Sequence, residues 1–407
     1  MGTVFLYVFF LFCHTNDKKE VYRMKRMMGF LLVCLLMVPA AREAMAAPVS
    51  VAAKGAVLAD GNTGRILWEK NSSEPLPIAS TTKILTALLV LEEGNLEEEV
   101  TVSARAQAAP KVHLGLQEGE TYRVGDLLYP LMLESSNDAA IVLAEAVGGS
   151  VEGFAEQMNE RAAQLGAKDS FFTTPNGLDK GGNHSTAADL ALITAAALQN
   201  PDFCAIIQTP SYTFSSCDGS RTFTVSNKNR LLQEYDGAIG VKTGFTNLAG
   251  QCFVGAAERD GVKLIAVVLQ SGWGTTGQAQ KWKDAKALLD YGFSNYHYVD
   301  AIPSEVCLSP VAVERGEEDQ VDVTHDQGQV LARTGETFST QVVCSQQVTA
   351  PVAEGEVLGH VSVFDERGKM VFFTEIKAKS EVKKRNLKSY LKKLENDWLF
   401  IPFTSIL

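Results

Sequence analysis

The chain has 407 residues, of which 46 % are hydrophobic and 21 % charged, as is typical of a globular protein with two or three domains. Its formal net charge is −11 and no basic face lies outside the C-terminal tail, which argues against nucleic acid as a partner. The seven cysteines lack Cys-x-x-Cys spacing, so nothing supports a zinc site or a thioredoxin-like motif. No metal or organic cofactor is implied.

The first 46 residues have the order of a secretory signal peptide. A Lys-Arg pair precedes the apolar run Met27–Val38, and the small-x-small sequence at 44–46 supplies a cleavage site. We predict cleavage after Ala46 and export to the extracytoplasmic face of the cell membrane. Met24 is an alternative start, which would place residues 1–23 outside the natural protein.

A β-hairpin and a buried helix are predicted next. The runs Ala56–Asp60 and Arg65–Glu69 flank a Gly-Asn-Thr-Gly turn, which is typical of a hairpin. The apolar stretch from Ser80 to Glu93 predicts a helix that is buried on most sides and ends before Gly94. Free N–H groups at the start of such a helix could stabilise an oxyanion.

Ser80 and Lys83 have the spacing of a nucleophile and its base. Residues i and i+3 share a helix face, so the two side chains can touch. Serine is a weak nucleophile until a base takes its proton, and lysine is a base only when neutral. Its pKa would have to fall by roughly 3 units, about 4 kcal/mol, through burial or a second cation. The same spacing recurs at Ser380/Lys383 and Ser389/Lys392, so it is not diagnostic alone.

A largely helical region follows, and polar residues mark its loops. The predicted helices are Val124–Leu133, Ala139–Val147, Phe154–Leu165 and Ala187–Leu198. Ser135 and Asn137 lie between the first two helices and are candidate site residues. Taken alone, they are equally consistent with a simple structural role at the helix boundary. His184 precedes the last helix and is interpreted as structural, and His113 as solvated.

Short runs rich in β-branched and aromatic residues predict strands of one antiparallel sheet: Tyr212–Phe214, Thr222–Val225, Val241–Thr243, Cys252–Ala256 and Leu264–Leu269. A closing helix is predicted over Lys281–Tyr291. We therefore expect an α/β domain over residues 47–300, with a sheet built from both chain ends and a helical insert between them. Cys204 and Cys217 are close enough in the chain for a disulfide.

Lys242, Thr243 and Gly244 lie on one predicted strand. Lys242 alone would also fit as a surface lysine on an edge strand, and Gly244 indicates a close approach of backbone to a ligand.

Three motifs now follow in order: Ser80-x-x-Lys83, Ser135-x-Asn137 and Lys242-Thr243-Gly244. Together they resemble the serine penicillin-recognising enzymes, and most closely the D-alanyl-D-alanine carboxypeptidases among the low-molecular-weight penicillin-binding proteins. The resemblance covers about residues 50–290, and more loosely extends to about 375. It rests on Ala79–Lys83, Ser135–Ala140, Pro175–Leu178, His184–Thr186 and Gly240–Gly244.

The resemblance implies a β-lactamase/transpeptidase-like fold and a role for each motif residue. Ser80 would form an acyl-enzyme with peptidoglycan stem peptides ending in D-Ala-D-Ala, releasing the last D-alanine, and would also react with β-lactams. Lys83 would be the base and Ser135 a proton relay. The implied substrate-binding residues are Asn137, Lys242, Thr243, Gly244 and Phe245. Some relatives carry His at position 245, so substrate preference could differ here.

The C-terminal third predicts two further segments. Short alternating runs over residues 301–378, with a hairpin at Val361–Val363 and Met370–Phe373, predict a small all-β domain without catalytic residues. Residues 379–407 combine lysines with apolar residues at helical spacing, which favours an amphipathic helix on a membrane surface. A solvated helix or a disordered tail is the alternative.

Three other functions use a similar constellation. A β-lactamase would need a deacylating Glu after the Ser-x-Asn motif, but residues 166–183 contain none. A non-catalytic penicillin sensor or wall-binding module would share the pocket without turnover. A transpeptidase or endopeptidase would share the chemistry and differ only in its acceptor or its substrate bond.

Overall fold

The structure is a computed structural model that describes residues 49–178, 181–304, 306 and 308–391. The predicted signal peptide and the distal part of the predicted tail therefore lie outside the described residues. The helices are α1 Lys83–Glu93, α2 Ala104–Gln107, α3 Val124–Leu133, α4 Asn137–Gly148, α5 Val151–Gln164, α6 Ala187–Ala197, α7 Pro201–Gln208, α8 Leu231–Glu234 and α9 Gly274–Asn295.

The strands cluster at both ends of the described chain. Those before residue 300 are β1 Gly55–Asp60, β2 Ile66–Lys70, β3 Glu99–Thr101, β4 Thr121–Arg123, β5 Ser211–Ser215, β6 Thr222–Ser226, β7 Ala238–Thr246, β8 Gly250–Arg259, β9 Val262–Leu269 and β10 Tyr296–Asp300. The later strands are β11 Val311–Glu314, β12 Gln320–Val321, β13 Val323–His325, β14 Gln329–Arg333, β15 Ser339–Cys344, β16 Gln347–Thr349, β17 Val357–Phe364 and β18 Met370–Ala378.

The central sheet is antiparallel in the order β2-β1-β9-β8-β7, which confirms a sheet built from both ends of the domain. Alternate side chains of β9 enter two separate cores, because successive residues of a strand point to opposite faces. Ile265 and Val267 pack towards the helical insert, whereas Leu264 and Ala266 pack towards α9. Both faces are thus covered, and β7 is left as an edge strand beside α1.

The buried helix is confirmed, with one difference at its start. Residues Ala79–Thr82 form a 3₁₀ turn and the α-helix begins at Lys83, so Ser80 lies just outside it. Side chains at i and i+3 eclipse in a 3₁₀ turn, and Ser80 and Lys83 therefore stay on one side. Every residue from Lys83 to Val90 is buried, which fixes the lysine in the interior.

Two expectations about the region around residues 200–226 are wrong. β5 and β6 form a separate two-stranded hairpin and do not join the central sheet, because their aromatic face packs on Tyr122 instead. Cys204 and Cys217 both carry free thiols, so they form no disulfide. Helix α7 was not predicted, although Asn200 caps it through its side chain and Pro201 occupies its first turn.

The strands after residue 310 form an all-β region with its own apolar core. Its larger sheet has the order β13-β18-β17-β15, and β17 pairs with β18 as the predicted hairpin. β14 instead pairs with β10, which joins this region to the end of α9. The domain boundary at residue 300 stays a prediction.

The described part of the predicted tail is short. The prediction of a helix from residue 379 is wrong for residues 379–386: they are not helical, because Val382 is buried in the core of the all-β region and pairs with Val352. Backbone over residues 387–391 is helical, and its Leu387, Tyr390 and Leu391 side chains are exposed. In the described parts of the chain no single helix has the length and apolar character to cross a membrane. Taken together, the sharply bent pair α6 and α7 is long and apolar enough, judged by length and composition only.

Candidate active site

Lys83 is the centre of the site. Its Nζ lies 3.0 Å from Ser80 Oγ, 2.8 Å from Asn137 Oδ1 and 2.8 Å from the carbonyl oxygen of Asn176. Its side chain has no exposed surface, whereas Ser80 is only half-buried. A nucleophile open to the cleft thus contacts an amine held on the inner side by two oxygens.

The electrostatics of Lys83 favour the neutral amine. Burial lowers the pKa of Lys83 well below its ordinary value, and the charge of Lys242 lowers it further. Asp138 acts in the opposite direction but is the weaker influence. The two conditions that the sequence argument required, burial and a second cation, are both present.

The Ser-x-Asn segment approaches from the helical insert. Ser135 has φ +72°, a left-handed conformation that is costly for a residue with a side chain. Its Oγ is buried and makes no hydrogen bond to any described residue. Asn137 is anchored through its backbone N–H to Val112 O at 2.8 Å and through Nδ2 to Pro110 O at 3.0 Å. The orientation of its Oδ1 towards Lys83 is therefore fixed from two sides.

The Lys-Thr-Gly strand β7 closes the other side. Lys242 is buried, and its Nζ donates to Thr243 O at 3.1 Å. Burial, and then the charge of Lys281, lower the pKa of Lys242 to about 7. A Cβ on Gly244 would lie 3.0 Å from Ser80 N, so the glycine lets β7 pack directly against the Ser80 turn. The close approach at Gly244 is to the chain's own backbone, whereas the sequence had indicated a ligand.

Thr243 and Phe245 flank Gly244 on β7. Thr243 is half-buried and Phe245 is 46 % exposed. The structure thus brings all eight sequence-predicted site residues onto three segments around Ser80: its turn with the start of α1, the α3–α4 loop with the start of α4, and β7.

The loop after residue 173 also belongs to the site. Pro175–Leu178 was one of the segments that carry the family resemblance, but no role in the site was predicted for it. Pro175 O accepts from Thr86 Oγ1 at 2.7 Å, and Asn176 O accepts from Lys83. Gly177 has φ +78°, and a Cβ there would lie 2.0 Å from Ala79 O. Nothing in the sequence indicated that this loop packs against the turn that carries Ser80.

Gly177→Ala is expected to displace this loop and to slow penicillin acylation of Ser80, because the added methyl group overlaps the Ala79 carbonyl. Stopped-flow acylation and thermal unfolding measure the two effects. Gly119→Ala is the matched control: it has φ +87° but no heavy atom within 4 Å of the new methyl group. Backbone strain alone costs about 1 kcal/mol at either position. Equal effects of the two substitutions would mean that the contact with Ala79 is unimportant.

Asp138 is a second residue that sequence reasoning missed. Its buried carboxylate accepts hydrogen bonds from the backbone N–H groups of Leu114, Gly115 and Leu116. These bonds tie the loop that carries Pro110 O and Val112 O to α4. Asp138 therefore positions Asn137 indirectly, and only its place inside the quoted Ser135–Ala140 motif hinted at it.

Among the described residues, neither His113 nor His184 makes a side-chain hydrogen bond to a predicted site residue. His184 Nδ1 lies 2.8 Å from Gly182 O, a hydrogen bond within its own loop, as the structural interpretation expected. His113 differs from expectation: it is partly buried, and its Nδ1 has no hydrogen-bond partner among the described residues.

A serine beside a buried lysine at the start of a buried helix, with a Ser-x-Asn loop and a Lys-Thr-Gly edge strand on either side, defines a serine acyl-transfer enzyme of the penicillin-recognising class. The family model that describes D-alanyl-D-alanine carboxypeptidases matches residues 41–272. The chain belongs to this family of serine hydrolases.

Relatives extend the match beyond that segment. D-alanyl-D-alanine carboxypeptidase DacF of Bacillus subtilis (strain 168) is 30 % identical over 392 residues, covering 92 % of this chain and 99 % of DacF. DacB2 of Mycobacterium tuberculosis is 40 % identical, covering 58 % of this chain and 81 % of the relative. Among solved structures, penicillin binding protein 5 of Haemophilus influenzae superposes with a TM-score of 0.68 at 27 % identity, covering 83 % of this chain and 99 % of that one.

Proposed function

We propose that the protein is a serine-type D-Ala-D-Ala carboxypeptidase that removes the terminal D-alanine from peptidoglycan stem peptides. The observation that carries the mechanism is the 3.0 Å contact between Ser80 Oγ and the buried Lys83 amine. Neutral Lys83 takes the Ser80 proton as Oγ attacks the penultimate carbonyl. The tetrahedral intermediate then collapses, the last D-alanine leaves as an amine, and water hydrolyses the acyl-enzyme.

Ser135 is suited to carry a proton to the leaving amine. Its Oγ is buried, has no partner among the described residues and lies on the segment that also presents Asn137 to Lys83. A hydroxyl without a hydrogen bond in the resting site is free to accept one proton and donate another when substrate arrives. Ser135 has a strained backbone with φ +72°, and strained residues of this kind are often found at functional sites, which supports the proposed role.

The substrate-binding roles follow from β7. Lys242 and the Thr243 hydroxyl bind the terminal carboxylate, and Asn137 binds a substrate amide while orienting Lys83. Backbone N–H groups of Ser80 and Phe245 form the oxyanion hole, which the tight packing of Gly244 against Ser80 N supports. Each such donor contributes about 3–4 kcal/mol to transition-state stabilisation.

The outer segments suggest where the enzyme works. We propose that the signal peptide directs export and that the tail from residue 387 onward lies on the extracytoplasmic membrane surface. The exposed Leu387 and Leu391 side chains share one face at i, i+4 spacing, which supports this role. Co-sedimentation with anionic lipid vesicles, with and without residues 387–407, tests the placement and leaves the buried Val382 in the all-β core.

The decisive experiment follows a peptide ending in L-Lys-D-Ala-D-Ala and, in parallel, benzylpenicillin. Release of free D-alanine, with a penicilloyl adduct on Ser80 that lasts for minutes or longer, is the expected result. Rapid hydrolysis of benzylpenicillin without an adduct would indicate a β-lactamase. A stable adduct without D-alanine release would indicate a sensor or wall-binding protein. Release of D-alanine only when an amine acceptor is present would indicate a transpeptidase. Cleavage of cross-linked peptide dimers, without release of D-alanine from the linear peptide, would indicate an endopeptidase.

A further inference from the structure

Strand β15 forms one edge of the larger sheet in the all-β region. It pairs with β17 on one side, and its other side has no strand partner among the described residues. The strand is exposed on both faces as well. Val342 and Val343 are successive residues that point to opposite faces, and they are 42 % and 45 % exposed. β15 therefore presents a free row of backbone groups together with apolar side chains.

This edge lacks the features that usually prevent a strand from pairing with another chain. Edge strands are commonly very short, or they carry charged residues or proline. The opposite edge of the same sheet, β13, has three residues and lies between Asp322 and Asp326. β15 has six residues, and no Asp, Glu, Lys or Arg occurs from residue 337 to 353, although 21 % of the chain is charged. We name Ser339–Cys344 the uncharged edge.

The hydrogen bonds to β17 show which backbone groups of the uncharged edge point outwards. Ser345 N donates to Leu358 O at 2.9 Å, and the register of β15 and β17 continues unbroken from this pair. Hydrogen-bonded residues alternate along an antiparallel pair, so the odd-numbered residues of β15 bond to β17. The N–H and C=O groups of Thr340, Val342 and Cys344 therefore point to the free side.

A second copy of the chain is the partner that fits this edge. The chain has a net charge of −11, so most facing surfaces of two copies bring like charges together, whereas two uncharged edges do not. An antiparallel alignment centred on Val342 places Val342 opposite its own copy and Thr340 opposite Cys344. It uses all three outward residues of both strands, and β-branched residues pair well across strands. The alignment has two-fold symmetry, so it closes as a dimer.

We propose that the uncharged edge is a dimer interface, at which β15 of two copies pairs antiparallel and joins their four-stranded sheets into one continuous sheet. The three outward residues of each strand supply about six hydrogen bonds between the chains. The predicted site residues all lie on other elements, so the interface is separate from the acylation of Ser80.

Sedimentation velocity of the mature chain over a wide range of concentration tests the proposal, and a reversible monomer–dimer equilibrium is the expected result. Val342→Lys places two ammonium groups opposite each other at the centre of the ladder, which should raise the Kd of the dimer about 10-fold or more. Met370→Lys is the matched control: Met370 is 52 % exposed in the same sheet, but it lies on β18, two strands from the edge. Thermal unfolding checks that both variants are folded.

Disulfide trapping tests the register of the pairing. In the proposed ladder the Cα atoms of residue 342 in the two copies lie about 5.5 Å apart, within the range that a disulfide spans. Val342→Cys should therefore form a covalent dimer on mild oxidation. The wild-type chain, which has an exposed thiol at Cys217, and Met370→Cys are the references and should stay largely uncrosslinked.

A wild-type chain that stays monomeric at every concentration would overturn the proposal. A dimer that Val342→Lys leaves unchanged, or that Val342→Lys and Met370→Lys weaken equally, would also overturn it, because the interface would then lie elsewhere. If the dimer persisted in Val342→Lys and disappeared on removal of residues 387–407, self-association would belong to the tail.

Discussion

Lys83→Met is expected to slow acylation of Ser80 by about 10⁴-fold, by both D-Ala-D-Ala peptides and penicillin. Lys83 Nζ is the one amine within hydrogen-bond distance of Ser80 Oγ among the described residues. Without it the hydroxyl proton has no nearby acceptor, and serine returns to its weak intrinsic nucleophilicity. Rapid-quench labelling with a fluorescent penicillin gives the acylation rate directly.

Methionine is chosen because it separates chemistry from folding. It fills a similar volume in a fully buried position and removes the cost of burying an amine. The oxygens of Asn137 and Asn176 each lose a donor, at about 1–3 kcal/mol apiece. These terms oppose each other, so the variant should remain folded, as its thermal unfolding will show.

Ser80→Ala provides the reference for complete loss of the nucleophile. It should form no adduct at all, whereas Lys83→Met should form the adduct slowly. A Lys83→Met enzyme that acylates within about 10-fold of wild type would assign the base to another group. If the Ser135→Ala variant were then acylated slowly, Ser135 would be the base.

The sequence predicted those parts of the site that local pattern determines. The helix after Ser80 follows from an unbroken apolar run that only a buried helix accommodates. The central strands follow from β-branched runs between turn residues, and the order of the three motifs located the cleft. The central sheet combines strands from both ends of the domain, as predicted. The strand pattern was therefore informative even though a long helical insert separates the strands in the sequence.

What the sequence did not reveal depends on contacts between distant segments. β5 and β6 have the same two-residue period as the central strands, and nothing in that period says which sheet they join. Docking of Gly177 on Ala79 depends on the path of a whole loop. Asp138 binds backbone N–H groups, which carry no sequence signal.

Lys281 shows the same limit at the site itself. The closing helix was predicted to begin at Lys281, but α9 begins at Gly274, so this lysine lies in its second turn. There it is buried, and its Nζ donates to Gln251 Oε1 at 2.7 Å. Burial lowers the pKa of Lys281 to about 8. The predicted helix started seven residues too late. The sequence therefore did not indicate that a third lysine lies close enough to Lys242 to lower its pKa.

This row of lysines predicts how activity depends on pH. Lys83 must be neutral to act, so activity rises as pH increases through its lowered pKa. Lys242 must be charged to attract the substrate carboxylate, so kcat/KM falls as pH increases through the pKa of Lys242, about 7. The bound carboxylate stabilises the ammonium, and the alkaline limb of kcat is therefore expected at higher pH than that of kcat/KM.

Lys281→Met is expected to move the alkaline limb of kcat/KM to higher pH, because it removes the cation that helps to lower the pKa of Lys242. Lys286→Met is the matched control: Lys286 lies on the same helix but pairs with Glu234 at the surface, and its loss should leave the limb unchanged. Lys242→Arg should flatten the limb, since a guanidinium stays charged throughout. The measurement is kcat/KM for D-alanine release from pH 5 to 10. A limb that stays fixed in Lys281→Met, or moves to lower pH, would show that Lys281 does not control the charge of Lys242.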